Sequence, residues 1–526
     1  MSVLSALLAV VIVAHDPGFT TSLANHIQRW LRGEQIAARV IGPAAMDQVL
    51  QQERLAFLVG FASPSKSEVD ALRAFRRRGG KMVVFHSSSA PLAEMMGVKP
   101  VGYRAAAYPG EFSRMDFVSR HPEGLPSVIR QTSTVLHRAR AVAGRSRVLA
   151  TWSDRGGRST GEPAWLESDA GYWMTHVLSA DGDEDLKARF LGAIVGSVDP
   201  QAWNYAAHLS RRAATAKSLR SYAERQSPKA GEIHAVWDHS GCGLYPGNWP
   251  RTAKILKASR VTDLFVNVAG AGFAHYPSAV LPRSRIFQQE GDQLAAAVAA
   301  AHSQGIRVHA WLLCFTATRG SATQLAAFAK KGWRLRNGKG SLTEYVDPGN
   351  EDVRNYVLSA VDELQSRYAV DGVHLDFVRY GEGTVRPKDA ALNVTRFVSE
   401  ARRCVKRPKW LTAAVYGKYP ACCENVAQDW ASWLDLNLVD YVVPMNYTES
   451  NLKFAALLAQ QSMPRSHAHR TIVGIGVTAN ESRLDARQVI DQINLSRSFG
   501  FAGVSLFDLD TMLEKSILVY LTLGIW

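Results

Sequence analysis

The chain has 526 residues, of which 47% are hydrophobic and 21% charged; this is an ordinary globular composition, but too long a chain for a single hydrophobic core. The formal net charge is +14, yet the basic residues are scattered in short runs without a nucleic-acid motif, so we do not expect a nucleic-acid partner. The five cysteines are irregularly spaced and contain no CxxC pair, which excludes a zinc ribbon and leaves either one disulfide or free thiols.

The N-terminal residues allow two interpretations. Residues 3–14 are almost wholly apolar, a length that suits a signal peptide and is too short to span a bilayer. No Lys or Arg precedes them, which favours a buried first strand that enters a loop at His15 and Asp16. Elsewhere the sequence predicts no membrane span.

Residues 1–200 alternate apolar runs with amphipathic helical segments. Strands are predicted at 9–14, 56–61 and 81–85, and helices at 20–32 and 67–78. Such alternation predicts an α/β domain with a parallel sheet covered on both faces. The polar and basic residues 201–230 are predicted to form a helical connector and linker.

This first segment resembles the class I glutamine-amidotransferase-like domains, which have a flavodoxin-like fold and include ThuA-like members. In the enzymatic members, the strand after a Gly-Gly pair leads to a nucleophile elbow with a cysteine. Here Phe85-His86-Ser87 occupies the elbow, and residues 1–241 contain no cysteine, which excludes a thiolate nucleophile. His15, His86 and Ser87 are expected at strand ends, but they form no complete catalytic set, so we predict a non-catalytic domain.

Residues 231–526 contain eight strand-like runs, with helical segments in most of the gaps. The runs are 232–237, 263–268, 307–313, 372–377, 410–415, 439–445, 471–476 and 502–507. Eight such units predict a (β/α)8 TIM barrel, and a doubly wound eight-stranded sheet is the structural alternative.

Side chains suited to sugar binding follow or end several of these runs, where the active site of a TIM barrel lies. Aromatic faces stack on pyranose rings, and polar groups bind sugar hydroxyls. The candidates are Trp237, Asp238, Asn267, His275, Tyr276, Trp311, Asn446 and Tyr447. Trp311 suits the barrel core equally well.

The fourth run contains the strongest candidate for a catalytic residue. Apolar residues alternate with His374 and Asp376 along 372–377, so both polar side chains are predicted to point into the barrel. A buried carboxylate is costly without a purpose, which predicts a catalytic role for Asp376. An ion pair with Arg379 is the structural alternative, and such a pair would hold down the pKa of Asp376, as suits a nucleophile or base.

Several motifs together resemble the glycosyl-hydrolase-like family 10 barrels. They are Tyr345-Val-Asp-Pro-Gly-Asn350, the segment 368–380 that contains Asp371-Gly-Val-His-Leu-Asp-Phe-Val-Arg379, Gln428-Asp-Trp430, and Val439-Asp-Tyr-Val-Val-Pro-Met-Asn-Tyr-Thr448. The resemblance covers most of residues 231–510. It implies a secreted or envelope-associated protein that degrades polysaccharides.

A weaker likeness connects the fourth run to family 18 chitinases. Their Asp-x-x-Asp-x-Asp-x-Glu motif would place the acid at Val378 and the middle aspartate at His374. The missing glutamate means that the chitinase mechanism does not transfer.

Glycoside hydrolysis normally needs two carboxyl groups about 5 to 10 Å apart. We predict Asp376 as one and Glu449 or Asp508 as the second, with Asp238 and Asp510 as alternatives. No ligand spacing indicates a metal, and no cofactor is expected.

The sequence thus predicts a glycoside hydrolase acting on a polysaccharide or oligosaccharide, with acidic and amino-sugar polymers among the expected substrates. A catalytically silent carbohydrate-binding barrel and a barrel hydrolase of another bond type are the alternatives.

Overall fold

The computed structural model describes residues 10–16, 18–108, 110–118, 122–154, 156–180, 183–463 and 465–526. The chain divides into two compact units, residues 1–215 and 216–526. Residues 3–9 of the apolar stretch 3–14, which include the first residue of the predicted strand 9–14, lie outside the described residues. Among the described helices, none is both long and apolar enough to cross a membrane.

The first unit begins with alternating strands and helices. They are β1 (Val10–Ala14), α1 (Phe19–Gly33), β2 (Ala38–Ile41), α2 (Met46–Leu50), β3 (Leu55–Val59), α3 (Lys66–Arg77), β4 (Lys81–Phe85) and α4 (Ala90–Met95). Successive β1 residues contact opposite faces of the sheet, with Ile12 in one hydrophobic cluster and Val11 and Val13 in the other. The predicted doubly covered parallel sheet is therefore present here.

The rest of the first unit is richer in strands than predicted. It contains β5 (Val98–Ala105), β6 (Phe112–Phe117), β7 (Val128–Ser133), β8 (Val135–Ala141), β9 (Ser146–Ser153), β10 (Ser159–Ser168), β11 (Gly171–Met174) and α5 (Glu184–Val198). The boundary between the two units falls within α6 (Tyr205–Glu224). The sheet order is β2-β1-β3-β4-β11-β10-β9-β6-β7. The strands from β2 to β11 in this order are parallel, whereas β10, β9, β6 and β7 extend the sheet antiparallel.

The antiparallel extension has a visible sequence cause. β1 and β3 are buried at every position, as parallel strands between two helical layers require, whereas β7 alternates buried and exposed residues. The apolar runs alone indicated the parallel part of the sheet.

The elbow residues His86 and Ser87 and the more distant His15 follow strand ends, as expected, and have different partners. His86 has a left-handed φ of 51°, and its ring lies 5.9 Å from that of His137 and 5.8 Å from that of His176. The Ser87 hydroxyl donates to the carbonyl of Phe61, and the His15 ring packs on the Phe61 ring at 4.8 Å. Ser87 and His15 therefore both contact Phe61, whereas His86 lies near two other histidines.

The second unit contains the predicted TIM barrel. Its first half comprises β12 (Ile233–Asp238), α7 (Trp249–Ala258), β13 (Asp263–Gly270), β14 (Phe273–Ala274), α8 (Arg285–Glu290), α9 (Gln293–His302), β15 (Arg307–Leu313), α10 (Ala322–Lys330), β16 (Arg334–Arg336), β17 (Leu342–Val346), α11 (Glu351–Arg367) and β18 (Gly372–Asp376). The second half comprises α12 (Ala390–Cys404), β19 (Trp410–Tyr416), α13 (Ala421–Val426), α14 (Trp430–Asp435), β20 (Tyr441–Met445), α15 (Asn451–Gln461), α16 (Arg465–Ala468), β21 (Ile472–Gly476), α17 (Ala486–Ser498), β22 (Gly503–Phe507), a π-helical turn (Leu513–Leu518) and α18 (Val519–Leu521).

The barrel closes through parallel pairs in the order β12, β13, β15, β18, β19, β20, β21 and β22, with β22 returning to β12. This closure confirms the barrel and removes the doubly wound alternative. A large apolar cluster joins the strands to the outer helices, and a smaller one built around Trp237, Phe265 and Trp311 fills part of the interior. The cysteines are free thiols.

Candidate active site

A cavity of about 920 Å³ lies at the C-terminal end of the barrel. Side chains at or just beyond six strand ends contribute to its wall: Trp237, Trp311, Asp376, Tyr416, Tyr447 and Phe507. The C-terminal face is where TIM barrels place their active sites, so this cavity is the candidate site.

Asp376 lies at the end of β18 with 5% of its surface exposed. Its Oδ1 accepts a hydrogen bond of 2.6 Å from the backbone N–H of Phe377, and its Oδ2 accepts one of 3.2 Å from the indole N–H of Trp311. Arg379 Nη1 lies 3.5 Å from Oδ1. Phe377 has a φ of 50°, a left-handed conformation that is rare for a bulky residue and is often found at functional sites.

Burial raises the pKa of Asp376, and the charge of Arg379 and the two hydrogen bonds offset this only in part. Arg379 lowers the pKa of Asp376, as expected, but burial outweighs this effect and the net shift is upward. At 3.5 Å the ion pair is loose, and it does not balance the cost of placing a carboxylate in a dry environment. The raised pKa suits a proton donor.

Arg379 packs against two aromatic rings. Its guanidinium carbon lies 4.1 Å from the centre of the Phe377 ring and 4.6 Å from that of Tyr416. The side chain is 6% exposed, and Nη1 has no hydrogen-bond partner among the described residues. This cation is thus buried against aromatic rings, and its Nη1 has an ion-pair contact with Asp376 but no hydrogen bond to a described residue.

His374 lies inside the barrel but does not reach the cavity wall. Its Nε2 is 2.9 Å from the indole N–H of Trp237, and its Nδ1 is 2.8 Å from the hydroxyl of Thr412. Because indole only donates, Nε2 accepts and the proton lies on Nδ1. Burial holds the pKa of His374 well below its usual range, so the ring is neutral and positions Trp237.

Aromatic rings form much of the cavity wall. The rings of Trp237 and Trp311 lie 6.5 Å apart, and those of Tyr447 and Phe507 stack at 5.3 Å. Burial raises the pKa of Tyr447 well above its usual range, and the charges of Asp376, Asp508 and Glu481 add to this rise. The Tyr447 hydroxyl therefore keeps its proton near these carboxyl groups.

Several predicted site residues instead hold the barrel structure together. Asp238 accepts hydrogen bonds from Ser240 and from the N–H groups of Gly241 and Gly243. Asn446 exchanges hydrogen bonds with Gln461. These polar side chains satisfy buried loop and helix groups and do not line the cavity.

Two further candidates have similar structural partners. The His275 ring lies 2.6 Å from the hydroxyl of Ser284, and the Tyr276 hydroxyl donates to Glu363 at 3.0 Å. Both side chains are buried and lie outside the cavity wall.

The two candidates for the second carboxyl group also lie outside the wall. Glu449 is exposed and accepts from the N–H of Arg483 at 3.1 Å. Asp508 Oδ1 accepts from the N–H groups of His239 at 3.0 Å and Leu509 at 2.7 Å. Burial raises the pKa of Asp508 to about 7, and the nearby charges of Asp238 and Asp510 add to the rise.

Other residues of the wall were not predicted. The side chains concerned are His239, Arg319, Glu382, Arg386, Tyr416, Lys418 and Glu481. Arg319 donates to Asn267 at 3.0 Å and to His239 Nε2 at 2.9 Å, so the predicted Asn267 supports this wall residue from behind. Tyr416 ends β19, one residue beyond the predicted run 410–415. The other six residues lie in loops, where no alternation of polar and apolar residues indicates which side chains face the cavity.

Residues 250–411 match the model of the family described as Glycosyl hydrolase-like 10. This match confirms the family resemblance. It runs from α7 into β19 and includes Asp376 and Arg379. Proteins named Glycosyl hydrolase DigH, from Escherichia coli (strain K12) and Shigella flexneri among others, are 29% identical over 142 residues, which are 23% of this chain and 32% of theirs. The chain thus spans about a third of the length of these curated relatives.

Solved structures show remote likenesses. A ThuA-like protein from Bacteroides uniformis has a TM-score of 0.30 and 11% identity, covering 37% of this chain and 93% of its own. Alpha-L-fucosidase isoenzyme 2 from Paenibacillus thiaminolyticus has a TM-score of 0.40 and 14% identity, covering 56% of this chain and 48% of its own. A chitinase from Rhizomucor miehei has a TM-score of 0.35 and 13% identity, covering 50% of this chain and 93% of its own.

Proposed function

We propose that the barrel is a glycoside hydrolase that cleaves a polysaccharide or oligosaccharide, with Asp376 as the proton donor. The observation that carries the proposal is a buried carboxyl group with a raised pKa, placed on an aromatic-walled cavity at the C-terminal face of the barrel. A carboxyl group that keeps its proton can protonate the oxygen of a glycosidic bond. The rings of Trp237, Trp311 and Tyr447 offer stacking faces to the sugar.

We assign the second carboxyl group to Glu481. It lines the same cavity as Asp376, and both groups act electrostatically on Tyr447. Asp508 is turned toward the backbone of His239, and Glu449 lies outside the cavity. In the proposed reaction, Asp376 gives its proton to the departing sugar oxygen while Glu481 supports attack on the anomeric carbon. Product stereochemistry, followed by NMR, distinguishes activation of a water from direct attack by Glu481.

The sequence match supports glycosidic bonds as the target. The family model, described as glycosyl hydrolase-like, matches residues that include Asp376, and the E. coli relative bears the name glycosyl hydrolase.

The test compares the full-length protein with its Asp376→Asn and Glu481→Gln variants on neutral, amino-sugar and acidic glycans. We expect Asp376→Asn to lower kcat by about 10²- to 10⁴-fold, because the reaction loses its general acid. Asp362→Asn, a change on the exposed side of α11, is the control and should leave turnover unchanged. Reducing ends released per unit time give the measurement.

Full turnover by Asp376→Asn would contradict the assignment. Binding of a glycan by the wild-type protein without turnover of any substrate would favour the carbohydrate-binding alternative.

A further inference from the structure

Positive side chains outnumber negative ones around the cavity. The cations of the wall are Arg319, Arg379, Arg386 and Lys418, and its carboxyl groups are Asp376, Glu382 and Glu481. When Asp376 holds its proton, the surplus of positive charge grows. A concave wall with such a surplus attracts a negatively charged ligand.

Among these cations, Arg379 is distinguished by its burial and by a nitrogen that has no hydrogen-bond partner within the described ranges. Arg319 donates to Asn267 and His239, and Arg386 donates to the carbonyl of Asn425. Arg379 is 6% exposed, and its Nη1 has no hydrogen-bond partner in the described part of the chain. A buried donor of this kind costs free energy until an acceptor pairs with it.

The geometry of Arg379 suits a planar anionic acceptor. The guanidinium carbon lies 4.1 and 4.6 Å from the centres of the Phe377 and Tyr416 rings, and these contacts restrict its movement. A guanidinium presents two parallel N–H groups that match the two oxygens of a carboxylate. Because Nη1 lies 3.5 Å from Asp376 Oδ1, a ligand bound there lies beside the proton donor.

We propose that the cavity takes an acidic glycan, and that Arg379 binds the carboxylate of a uronic acid ring next to the bond that is cleaved. The position of the cleaved bond rests on the proposed function, whereas the binding of the carboxylate does not. The sugar carboxylate balances the guanidinium charge that a protonated Asp376 leaves unbalanced.

The test measures binding in the Asp376→Asn protein, in which a neutral amide stands in for the protonated acid and hydrolysis is suppressed. The probes are oligosaccharides from polygalacturonate, glucuronan and alginate, each paired with the same oligosaccharide after reduction of its carboxylates to alcohols. We expect at least one acidic member to bind about tenfold to a hundredfold more tightly than its reduced partner in calorimetry, as a charge-assisted hydrogen bond implies.

Variants then assign the preference to one side chain. Arg379→Gln in the same background should bring the affinity ratio close to one, and Arg379→Lys should leave part of it, because lysine keeps the charge without the planar pair of donors. The control is Arg396→Gln, which removes the same charge from the exposed face of α12 and should leave the ratio unchanged. Thermal melts of all variants establish that they are folded.

Equal affinity for every acidic and reduced pair, or binding of none, overturns the proposed carboxylate site. A preference that survives Arg379→Gln overturns the role of Arg379. Hydrolysis is measured separately, so an enzyme that cleaves neutral glycans without preferring acidic ones would leave the hydrolase assignment intact while removing this inference.

Discussion

Two buried aspartates at opposite ends of the barrel have opposite pKa shifts. Asp263 begins β13 at the N-terminal face, and Asp376 ends β18 at the C-terminal face. Arg307 donates to both oxygens of Asp263 at 2.7 Å, and the His309 ring lies 2.9 Å from Oδ1. Asp376 has its arginine only at 3.5 Å.

The side chains that contact each carboxyl group decide the direction of its pKa shift. Burial raises the pKa of Asp263, but the hydrogen bonds and charges of His309 and Arg307 more than offset this and hold the pKa well below its usual range. Burial also raises the pKa of Asp376, and there the looser contacts do not offset it. Burial alone therefore does not decide the direction of the pKa shift of an aspartate; the distance and geometry of its cationic partner do.

The largest predicted effect separates the two aspartates by stability. Asp263→Asn should lower the free energy of unfolding by about 1.5 to 3 kcal/mol, because the buried carboxylate loses its charge-assisted hydrogen bonds with Arg307 and His309. Asp376→Asn should lower it by about 1 kcal/mol or less, because the ion pair with Arg379 is loose and an amide oxygen still accepts a hydrogen bond. Hydrogen exchange of barrel peptides in urea measures both. If Asp376→Asn proved the more destabilising, Asp376 would form the structural ion pair, and the assignment of opposite roles to the two aspartates would be wrong.

A second prediction concerns Asp508, a further carboxyl group at the C-terminal face. Its folded pKa of about 7 lies above the value of about 3.9 for an unfolded aspartate. The folded protein therefore binds more protons between pH 4 and 7, and its stability falls as pH rises through that range, by at most about 1.4 kcal/mol per pH unit. Asp508→Asn should flatten this slope in unfolding experiments at pH 5, 6 and 7. An unchanged slope would assign it to another group.

The third prediction concerns Asp263, for which stability should fall as the pH is lowered, the opposite of Asp508, and over a narrower pH range. Because the folded pKa of Asp263 is lowered, the stability it contributes is complete above about pH 4 and is lost as pH falls further. Acid unfolding of Asp263→Asn between pH 4 and 2 should be less steep than that of the wild-type protein. Equal slopes would show that other carboxylates dominate acid unfolding.

The smallest predicted effect concerns the hydrogen bond between Trp311 and Asp376. Trp311→Phe removes an indole donor that stabilises the ionised carboxyl group, so the pKa of Asp376 should rise further and the alkaline limb of kcat/KM should move up by less than about one pH unit. Trp433→Phe removes the indole that donates to Thr395 at 2.9 Å and is the matched control. A shift toward lower pH in Trp311→Phe would contradict the assignment of Asp376 as the acid.

The sequence predicted the barrel well because its strands are apolar runs with clear ends. The run 372–377 corresponds to β18 (Gly372–Asp376), and 471–476 corresponds to β21 (Ile472–Gly476). Because strand ends meet at one face, the same reasoning placed Trp237 and Asp376 on the cavity wall.

Two parts of the site could not be predicted in this way. Arg319, Glu382 and Glu481 belong to loops, where no periodicity relates a side chain to a strand end. The net pKa shift of Asp376 depends on a distance to Arg379 that the spacing of the two residues does not set. For the first unit, the apolar runs indicated the parallel strands but not the half-exposed antiparallel ones.

The left-handed turn at Phe377 places the acid, its backbone donor and its neighbouring cation within residues 376–379. Their relative positions are set by a short stretch of local backbone and not by the docking of distant loops. Loops that carry other wall residues can therefore change in length and sequence, and with them the shape and charge of the cavity, while the segment 376–379 stays intact. The lining of the cavity and its buried carboxyl group are in this sense separately evolvable in one barrel.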